Sequence, residues 1–270
     1  MKTLVSTKTL ANGVTIPVIG FGTWQIPNEE AYDAVTKALK AGYRHIDTAA
    51  AYRNEENVGK AIRESGIPRN EIFVTSKLPA QIKGYQETLD QFEKTMSALG
   101  LEVLDLYLIH APWPWNEMGK DCTQGNIDSW KAMEKLYNDG RIRSIGISNF
   151  DPQHIQPLLD SCTIVPHANQ IPFWIGHTKK ETVAFCDQQH IAIEAYSPLA
   201  TGRLFKNERL AAIANDLGVT LAQLAIRYCV EKGTIPLPKS THESRIIENA
   251  ALDFTIPEAI MRELDAMDTK

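Results

Sequence analysis

The chain has 270 residues, of which 43% are hydrophobic and 23% are charged, and its formal net charge at pH 7 is −5. This length and composition are typical of a globular protein with a sizeable core, and residues 1–270 suit one large α/β domain as well as two smaller ones. The acidic balance argues against a nucleic-acid partner or an anionic membrane surface, because such surfaces need an excess of basic residues.

Targeting and metal-binding signals are weak throughout the sequence. The amino-terminal segment MKTLVSTKTLANGV has no long apolar core and no small-residue cleavage site, and nowhere do about eighteen apolar residues run together as a membrane span requires. The four cysteines, at positions 122, 162, 186 and 229, form no CxxC pair and have no histidine at ligand spacing. We therefore expect a cytoplasmic protein with no metal site and no disulfide framework.

The first predicted elements are a β-hairpin and a short strand. Residues 8–16 alternate around Asn12-Gly13, which is the strongest signal for a two-residue hairpin turn. Residues 18–24, VIGFGTW, form a short apolar strand that contains two glycines. A dinucleotide-binding fingerprint is not favoured there, because Gln25 stands where the third glycine would be required.

From residue 28 onward, helical patterns alternate with short apolar strands. The predicted strands are 18–24, 45–48, 72–77, 104–110, 142–148, 167–171, 192–196 and 234–238, and the predicted helices are 28–42, 55–64, 86–99, 127–138, 152–160, 180–189, two between 208 and 232, 244–251 and 257–268. Eight parallel strands in about 250 residues is the number at which such a sheet closes. The sequence therefore predicts a single (β/α)₈ TIM barrel with an N-terminal hairpin. A doubly wound open sheet is the rival, but its phosphate fingerprint is missing.

Nearly every predicted strand ends in a polar residue. The strand ends carry Asp47, Lys77, His110, Ser148-Asn149, Asn169-Gln170, Tyr196-Ser197 and Lys239-Ser240. Any one of these residues could be a helix cap, a paired charge or a satisfied core group. Because the carboxyl ends of all barrel strands meet on one face, where barrel enzymes have their active sites, we expect one pocket to collect them.

Three of these strand-end residues, together with a tyrosine on the loop after one strand, suggest proton-transfer chemistry. In the stretch GYRHIDTAAAYRNEE (residues 42–56), Asp47 ends a strand and Tyr52 lies on the small-residue loop that follows. A free phenol has a pKa of about 10, and a lysine ammonium about 4 Å away contributes about 4 kcal/mol toward lowering it if the effective dielectric constant is about 20. We expect Lys77, held by Asp47, to lower the pKa of Tyr52 by about 2–3 units, and neutral His110 to orient a carbonyl oxygen.

A proton donor alone does not reduce a carbonyl group, so a hydride source is required. The side chains of Ser148, Asn149 and Gln170 could hydrogen-bond a carboxamide, and the ring of Tyr196 offers a face for stacking a flat heterocycle. These groups together could bind a flat heterocycle that carries a carboxamide.

A phosphate site is expected after the last strand. Lys239, Ser240 and Arg245 place two cations and a hydroxyl group beside a helix that begins near Ser244. Positive charge and a helix N-terminus both favour a phosphate. The alternative is an ordinary solvated basic turn.

Taken together, the motifs resemble those of the aldo-keto reductase family over essentially the whole chain. They are GYRHIDTAAAY, VTSKL, LDLYLIHAPWP, GRIRSIGISNF, NQI, YSPLA and IPLPKSTHESRIIEN. The resemblance implies a barrel plugged by its hairpin, a catalytic tetrad with Tyr52 as proton donor, and NADPH-dependent reduction of aldehydes and small ketones to alcohols. The cofactor, NADPH or NADP⁺, is then expected against Ser148, Asn149, Gln170, Tyr196, Ser197, Leu199, Lys239, Ser240, Arg245, Glu248 and Asn249.

Some positions depart from the pattern of the family. Pro79 and Ala111 stand where many members have tryptophan, and IPFWIGHTKKE replaces the usual stretch after Gln170. The sequence ends at Lys270, so we expect the long carboxyl-terminal loop of many members to be missing and the pocket to be open. Its walls are expected to include Trp24, Trp113, Trp115 and Trp174.

Two other functions remain as alternatives. One is a reductase-fold regulatory or redox-sensing partner protein that binds NADPH with little turnover, and the other is an unrelated barrel that binds a sugar phosphate at Lys239. The four tetrad residues favour the enzyme. We expect a monomer whose partner is a small carbonyl substrate; the sequence does not identify that substrate.

Overall fold

The computed structural model describes residues 2–268, which form a barrel surrounded by helices. The strands are β1 Thr7–Thr9, β2 Thr15–Pro17, β3 Phe21–Gly22, β4 His45–Asp47, β5 Phe73–Leu78, β6 Leu104–Ile109, β7 Ile142–Ser148, β8 Ala168–Pro172, β9 Ala192–Tyr196 and β10 Ile235–Leu237. The α-helices are α1 Lys2–Val5, α2 Asn28–Lys40, α3 Glu55–Glu64, α4 Tyr85–Leu99, α5 Thr123–Asn138, α6 Pro152–Leu159, α7 Lys180–Gln188, α8 Glu208–Asp216, α9 Leu221–Glu231, α10 Glu243–Ala250 and α11 Glu258–Ala266. Three 3₁₀ helices span Ala50–Tyr52, Arg69–Glu71 and Ala200–Lys206.

Strands β3 to β10 lie side by side in chain order, and all neighbouring pairs are parallel. The first and last of these strands are also joined, because the N–H groups of Gly20 and Gly22 donate to the carbonyls of Pro236 and Pro238, each at 3.0 Å. The predicted (β/α)₈ barrel is therefore confirmed, and the open doubly wound sheet is excluded.

The helices form where the sequence buries one apolar face. In α3 the buried residues include Val58, Ala61 and Ile62, which recur at helical spacing. Helix α5 begins at Thr123, earlier than predicted, and the carboxylate of Asp121 accepts a hydrogen bond from the Thr123 N–H of its first turn. Among residues 2–268, none of the helices has the length and apolarity needed to cross a bilayer.

The predicted amino-terminal hairpin is present, but its turn has three residues. Leu10 and Val14 still pair through a 2.8 Å backbone hydrogen bond, so Ala11, Asn12 and Gly13 form the loop. Gly13 has a φ of 83°, which glycine adopts without steric cost. The prediction of a two-residue turn was wrong because the Asn-Gly pair provides the left-handed residue of a longer loop as well.

The hairpin closes the amino-terminal end of the barrel. Leu10 and Ile16 are buried against interior residues from the beginnings or middles of the barrel strands, namely Phe73, Leu106, Leu108, Ala168, Ala192 and Ile235. The carboxyl-terminal end is left as the face where polar strand ends can meet a ligand, since apolar packing fills the other end.

One glycine allows two barrel strands to approach closely. A Cβ atom at Gly146, in β7, would lie 2.5 Å from the carbonyl oxygen of Ala168 in β8 and 2.7 Å from the side chain of Leu108. The carbonyl belongs to the backbone, so the contact can be relieved only by moving a strand. Glycine at this position therefore sets the spacing of the two strands that carry Ser148 and Gln170.

We predict that Gly146→Ala lowers the free energy of unfolding by about 3 kcal/mol, because the added methyl group overpacks the barrel wall. The unfolding midpoint in urea, followed by circular dichroism, measures the effect. Gly140→Ala is the matched control: Gly140 has a φ of 74° but open space around it, so the variant should lose only about 1 kcal/mol. Equal losses in the two variants would contradict the steric explanation.

Candidate active site

A buried lysine lies at the centre of the candidate site. Lys77, near the end of β5, has 0% of its surface exposed. Its Nζ lies 2.8 Å from both carboxylate oxygens of Asp47, 2.9 Å from the carbonyl oxygen of Thr48 and 3.1 Å from the hydroxyl oxygen of Tyr52. The structure thus brings together three of the four residues expected to form the tetrad.

The segment that carries Tyr52 is a 3₁₀ turn rather than an irregular loop. It is anchored by the buried side chain of Asn54, whose role sequence reasoning missed. The Asn54 amide accepts from the hydroxyl of Thr48 at 2.9 Å and donates to the carbonyls of Thr23 and Ile26, each at 3.0 Å. This buried amide therefore links the β4–α3 connection to the loop after β3 and fixes where Tyr52 can lie.

The charge state of Lys77 follows from its neighbours. Burial alone would lower the pKa of its ammonium group, but the charge of Asp47 and the hydroxyl of Tyr52 outweigh burial, and the pKa lies above its ordinary value. Lys77 is therefore a permanent cation at physiological pH. An ammonium group has donors only, so the Tyr52 oxygen accepts from it and the tyrosine's own proton points away from Lys77.

The expected lowering of the pKa of Tyr52 is wrong for this structure. Burial raises the pKa of the phenol, and the charge of Lys77 lowers it, but Asp47 and Glu194 oppose the lysine, so that the net shift is upward. The expectation considered the ammonium and underestimated the loss of hydration, which disfavours a phenolate. Tyr52 consequently remains a protonated hydrogen-bond donor over the physiological pH range.

His110 completes the predicted tetrad from the residue after β6. Its ring centroid lies 5.7 Å from that of Tyr52, and it is 8% exposed. Burial, together with the charges of Lys77 and Lys83, lowers the pKa of His110 to about 3, so the imidazole is neutral. Its Nδ1 is buried without a hydrogen-bond partner among the described residues. The tautomer with the proton on Nε2 is favoured, because a buried Nδ1–H without an acceptor would cost more free energy than a buried, unprotonated Nδ1 without a donor.

The four residues expected around a nicotinamide lie beside this group and bond to one another. Ser148 donates to the carbonyl of Gln170 at 2.8 Å, and Asn149 donates to the carbonyl of His110 at 2.9 Å. The hydroxyl of Tyr196 donates to the side-chain oxygen of Asn149 at 2.8 Å, which fixes the orientation of its ring. Asn149 adopts a left-handed backbone with φ 63°, a conformation that asparagine tolerates better than most residues.

Gln170 connects this group to the lysine centre. Its amide nitrogen donates to Asp47 at 2.8 Å and to Glu194 at 3.0 Å. Sequence reasoning missed Glu194, although an acidic residue inside the apolar strand AIEAY was a usable signal. Because strand residues two apart share a face, Glu194 lies on the same face of β9 as Tyr196, toward the barrel interior.

The residues expected to hold the phosphate end of a cofactor lie beyond β10. Lys239 and Arg245 are exposed and take part in no ion pair among residues 2–268. Ser240 accepts a hydrogen bond from the N–H of His242 at 3.1 Å, directly before α10. Two unpaired cations beside a helix N-terminus suit an anionic group.

The remaining expected cofactor contacts occupy two neighbouring segments. Ser197 follows β9 with a φ of 51°, and Leu199 is half-buried and packs against the core. In α10, Asn249 is buried, and Glu248 accepts from the hydroxyl of Thr220 at 2.9 Å. The structure places Glu248 and Asn249 on the same helix as Arg245.

Of the four tryptophans expected to wall the pocket, Trp115 is the one that contacts the tetrad. Its ring centroid lies 5.7 Å from that of His110, and it is 46% exposed. Trp113 instead contacts His154 with the two rings tilted by 49°, and Trp174 stacks on His177.

The other expected features of the pocket wall are placed as follows. Trp24, in the loop after β3, is 47% exposed. Ala111 is fully buried, and its carbonyl accepts from the ammonium of Lys83 at 2.7 Å. Lys270, on which the expectation of an open pocket depended, lies outside the described residues.

A parallel eight-stranded barrel with a buried lysine–tyrosine pair at its carboxyl-terminal end defines a barrel enzyme. The model for the Aldo/keto reductase family matches residues 18–269. The chain belongs to that family and is an oxidoreductase of carbonyl compounds.

The relatives and solved structures agree with this assignment. The chain is 45% identical to a glyoxal reductase of Bacillus subtilis over 98% of its own length and 94% of that protein. It is 44% identical to a 9,11-endoperoxide prostaglandin H2 reductase of Trypanosoma cruzi, over 96% of this chain and 90% of that protein. Its structure matches an aldo/keto reductase from Brucella melitensis with a TM-score of 0.93, at 40% identity, covering 99% of this chain and 100% of the other. It also matches a Bombyx mori aldo-keto reductase in complex with NADP with a TM-score of 0.88, at 33% identity, over 97% and 92% of the two chains.

We predict that Asp47→Asn and Lys77→Met each lower the free energy of unfolding by about 3–5 kcal/mol, because each leaves the opposite charge buried and unpaired. The double variant should lose much less than the sum. Urea unfolding of all four proteins gives the coupling energy. Glu93→Gln, which removes an exposed ion pair with Arg141, is the control and should leave the midpoint unchanged. Additive losses would contradict a coupled buried pair.

Proposed function

We propose that the protein reduces aldehydes and small ketones to alcohols with NADPH, and that Tyr52 is the proton donor. The observation that carries this proposal is the 3.1 Å contact between the Tyr52 hydroxyl and the Lys77 ammonium, which Asp47 holds in place. A fixed cation stabilises the phenolate that remains after Tyr52 gives up its proton.

The side chains divide the reaction between them. His110, as a neutral donor, binds the carbonyl oxygen of the substrate and directs it toward Tyr52. A bound reduced nicotinamide supplies the hydride for the carbonyl carbon. Tyr52 donates its proton to the oxygen as negative charge develops there. A phenol of raised pKa remains adequate for this step, because an alkoxide is a far stronger base than a phenolate.

The residues present suit the proposed cofactor. The Gln170 amide nitrogen is occupied by two acidic side chains, so its oxygen is the atom available to accept from a carboxamide N–H. The fixed ring of Tyr196 provides a stacking face. Lys239 and Arg245 supply charge for a 2′-phosphate, which favours NADPH over NADH. A family member solved with NADP supports this choice.

The substrate class is supported by the site and by one relative. The site offers a single proton donor, a neutral imidazole and the exposed ring of Trp115, which suit a small carbonyl compound. The Bacillus subtilis relative is named for glyoxal. We therefore infer that small aldehydes, glyoxal among them, are suitable first substrates.

We predict that Tyr52→Phe lowers turnover by about 10²–10⁴-fold, because the proton donor is lost while the ring remains. NADPH oxidation with a panel of aldehydes, followed by absorbance, gives turnover, and fluorescence titration gives cofactor affinity, which should be nearly unchanged. Tyr85→Phe, on the partly exposed face of α4, is the control and should match the wild type.

Two results would overturn the proposal. Undiminished activity in Tyr52→Phe would remove Tyr52 from the role of proton donor. Tight NADPH binding by the wild type with negligible turnover on every aldehyde and ketone tested would instead favour a regulatory partner protein.

We predict that Arg245→Ala weakens NADPH binding by about tenfold or more and leaves NADH binding nearly unchanged, because the lost bond is a charge-assisted contact to the 2′-phosphate. Fluorescence titration with both cofactors measures this. Arg262→Ala, an exposed arginine of α11 paired with Glu258, is the control. An unchanged preference for NADPH in Arg245→Ala would show that the phosphate is held elsewhere.

A further inference from the structure

Glu194 is a fully buried acidic residue in the middle of β9, directly below the tetrad. One of its carboxyl oxygens, Oε2, accepts from the amide nitrogen of Gln170 at 3.0 Å. The same nitrogen donates to Oδ1 of Asp47 at 2.8 Å. A single amide group therefore joins Glu194 to the carboxylate that holds Lys77.

The second oxygen of Glu194 indicates a neutral carboxylic acid. Oε1 is buried without a hydrogen-bond partner among the described residues, and it lies 3.4 Å from Nε2 of His45. Burial, with Lys77, lowers the pKa of His45 to about 3, so this ring carries no charge to compensate a carboxylate. A buried carboxylate oxygen without a donor is costly because it carries charge, and a proton on Glu194 removes that charge.

Some of the groups that face Glu194 raise the pKa of its carboxyl group, and others lower it. From β4 it meets His45 and Asp47, and from the 3₁₀ turn after β4 it meets Tyr52. The ammonium of Lys77 faces it from β5, and the amide of Gln170 from β8. On its other side β10, Ile235–Leu237, contributes no charged side chain. Burial and then Asp47 raise the pKa of Glu194 to about 8, against the opposing effects of Gln170 and Lys77.

We propose that Glu194 is a positioning residue of the reductase site: as a neutral acid it anchors Gln170 and through it Asp47, and as a carboxylate it opposes formation of the Tyr52 phenolate. This inference rests on the proposed function of Tyr52. Glu194 is neutral below about pH 8 and negative above it. A negative Glu194 raises the pKa of Tyr52, so the phenol keeps its proton to a higher pH than it would beside an uncharged residue.

The first test compares the pH profiles of wild type, Glu194→Gln and Glu194→Ala for NADPH-dependent aldehyde reduction. Glutamine keeps an oxygen to accept from Gln170 but cannot ionise. Its activity at pH 6.5 should lie within about twofold of wild type, whereas Glu194→Ala, which loses that oxygen, should fall about tenfold. In Glu194→Gln the fall in activity that follows ionisation of Glu194 near pH 8 should be missing. The midpoint at which Tyr52 itself ionises should shift down by ~0.5–1 pH unit, because the repelling charge is absent.

The second test needs no turnover. Infrared titration of the cofactor-free protein follows the C=O stretching band of a protonated carboxylic acid. A component that disappears near pH 8 in the wild type should be missing in Glu194→Gln. Glu55→Gln is the matched control: Glu55 is a second buried acid whose pKa burial raises to about 7, so its band should disappear at lower pH and persist in Glu194→Gln.

The outcomes separate this proposal from the proposed function. If the wild type shows no turnover with any carbonyl compound, the function fails. The proposal is then judged by the ultraviolet titration of Tyr52, taken as the difference from Tyr52→Phe, whose midpoint should be lower in Glu194→Gln. Superimposable pH profiles, or an unchanged infrared band in Glu194→Gln, would overturn the proposal and leave Glu194 with a packing role alone.

Discussion

The arrangement of the site depends on one buried charge, the ammonium group of Lys77. Removing such a group from water costs several kcal/mol, and the cost is offset only by well-placed acceptors. The carboxylate of Asp47 and the carbonyl of Thr48 supply them, and both lie at the end of the neighbouring strand. The pairing of Asp47 with Thr75 places Lys77 two residues further along β5. The ammonium of Lys77 therefore meets its acceptors only when β4 and β5 pair in this register.

Two further acids are buried near the same charge, and burial keeps them largely neutral. Glu194 is linked to Asp47 through Gln170, and Glu55 accepts a hydrogen bond from Ser76 at 2.6 Å. Three ionised carboxyl groups around one ammonium would leave a net negative interior. Burial raises the pKa of Glu194 and Glu55, so that near neutral pH Asp47 balances Lys77 while the other two are wholly or partly protonated.

The sequence predicted the barrel and the meeting of Asp47, Tyr52 and Lys77, because regular alternation fixes the order of strands and their ends share one face. It did not predict the direction of the pKa shift of Tyr52, which depends on how completely water is excluded. The anchoring role of Asn54 was also missed, since its partners are backbone carbonyls distant in the chain. Glu194 was detectable as an acid inside an apolar strand, but its link to Asp47 requires coordinates. Propensity and periodicity describe neighbours along the chain, whereas charge balance is set by neighbours in space.

A tyrosine whose pKa lies above its ordinary value suits the direction of reaction that we propose. Reduction needs the phenol in its protonated form before hydride transfer, and a raised pKa keeps it protonated throughout the physiological range. Lys77 then acts mainly at the end of the step: it does little to ionise the resting phenol, but it lies 3.1 Å from the oxygen on which negative charge remains. Burial raises the pKa of Tyr52, and it also strengthens the attraction between the Lys77 ammonium and a negative charge on the Tyr52 oxygen. The same exclusion of water therefore keeps the resting phenol protonated and stabilises the phenolate once an alkoxide has taken the proton.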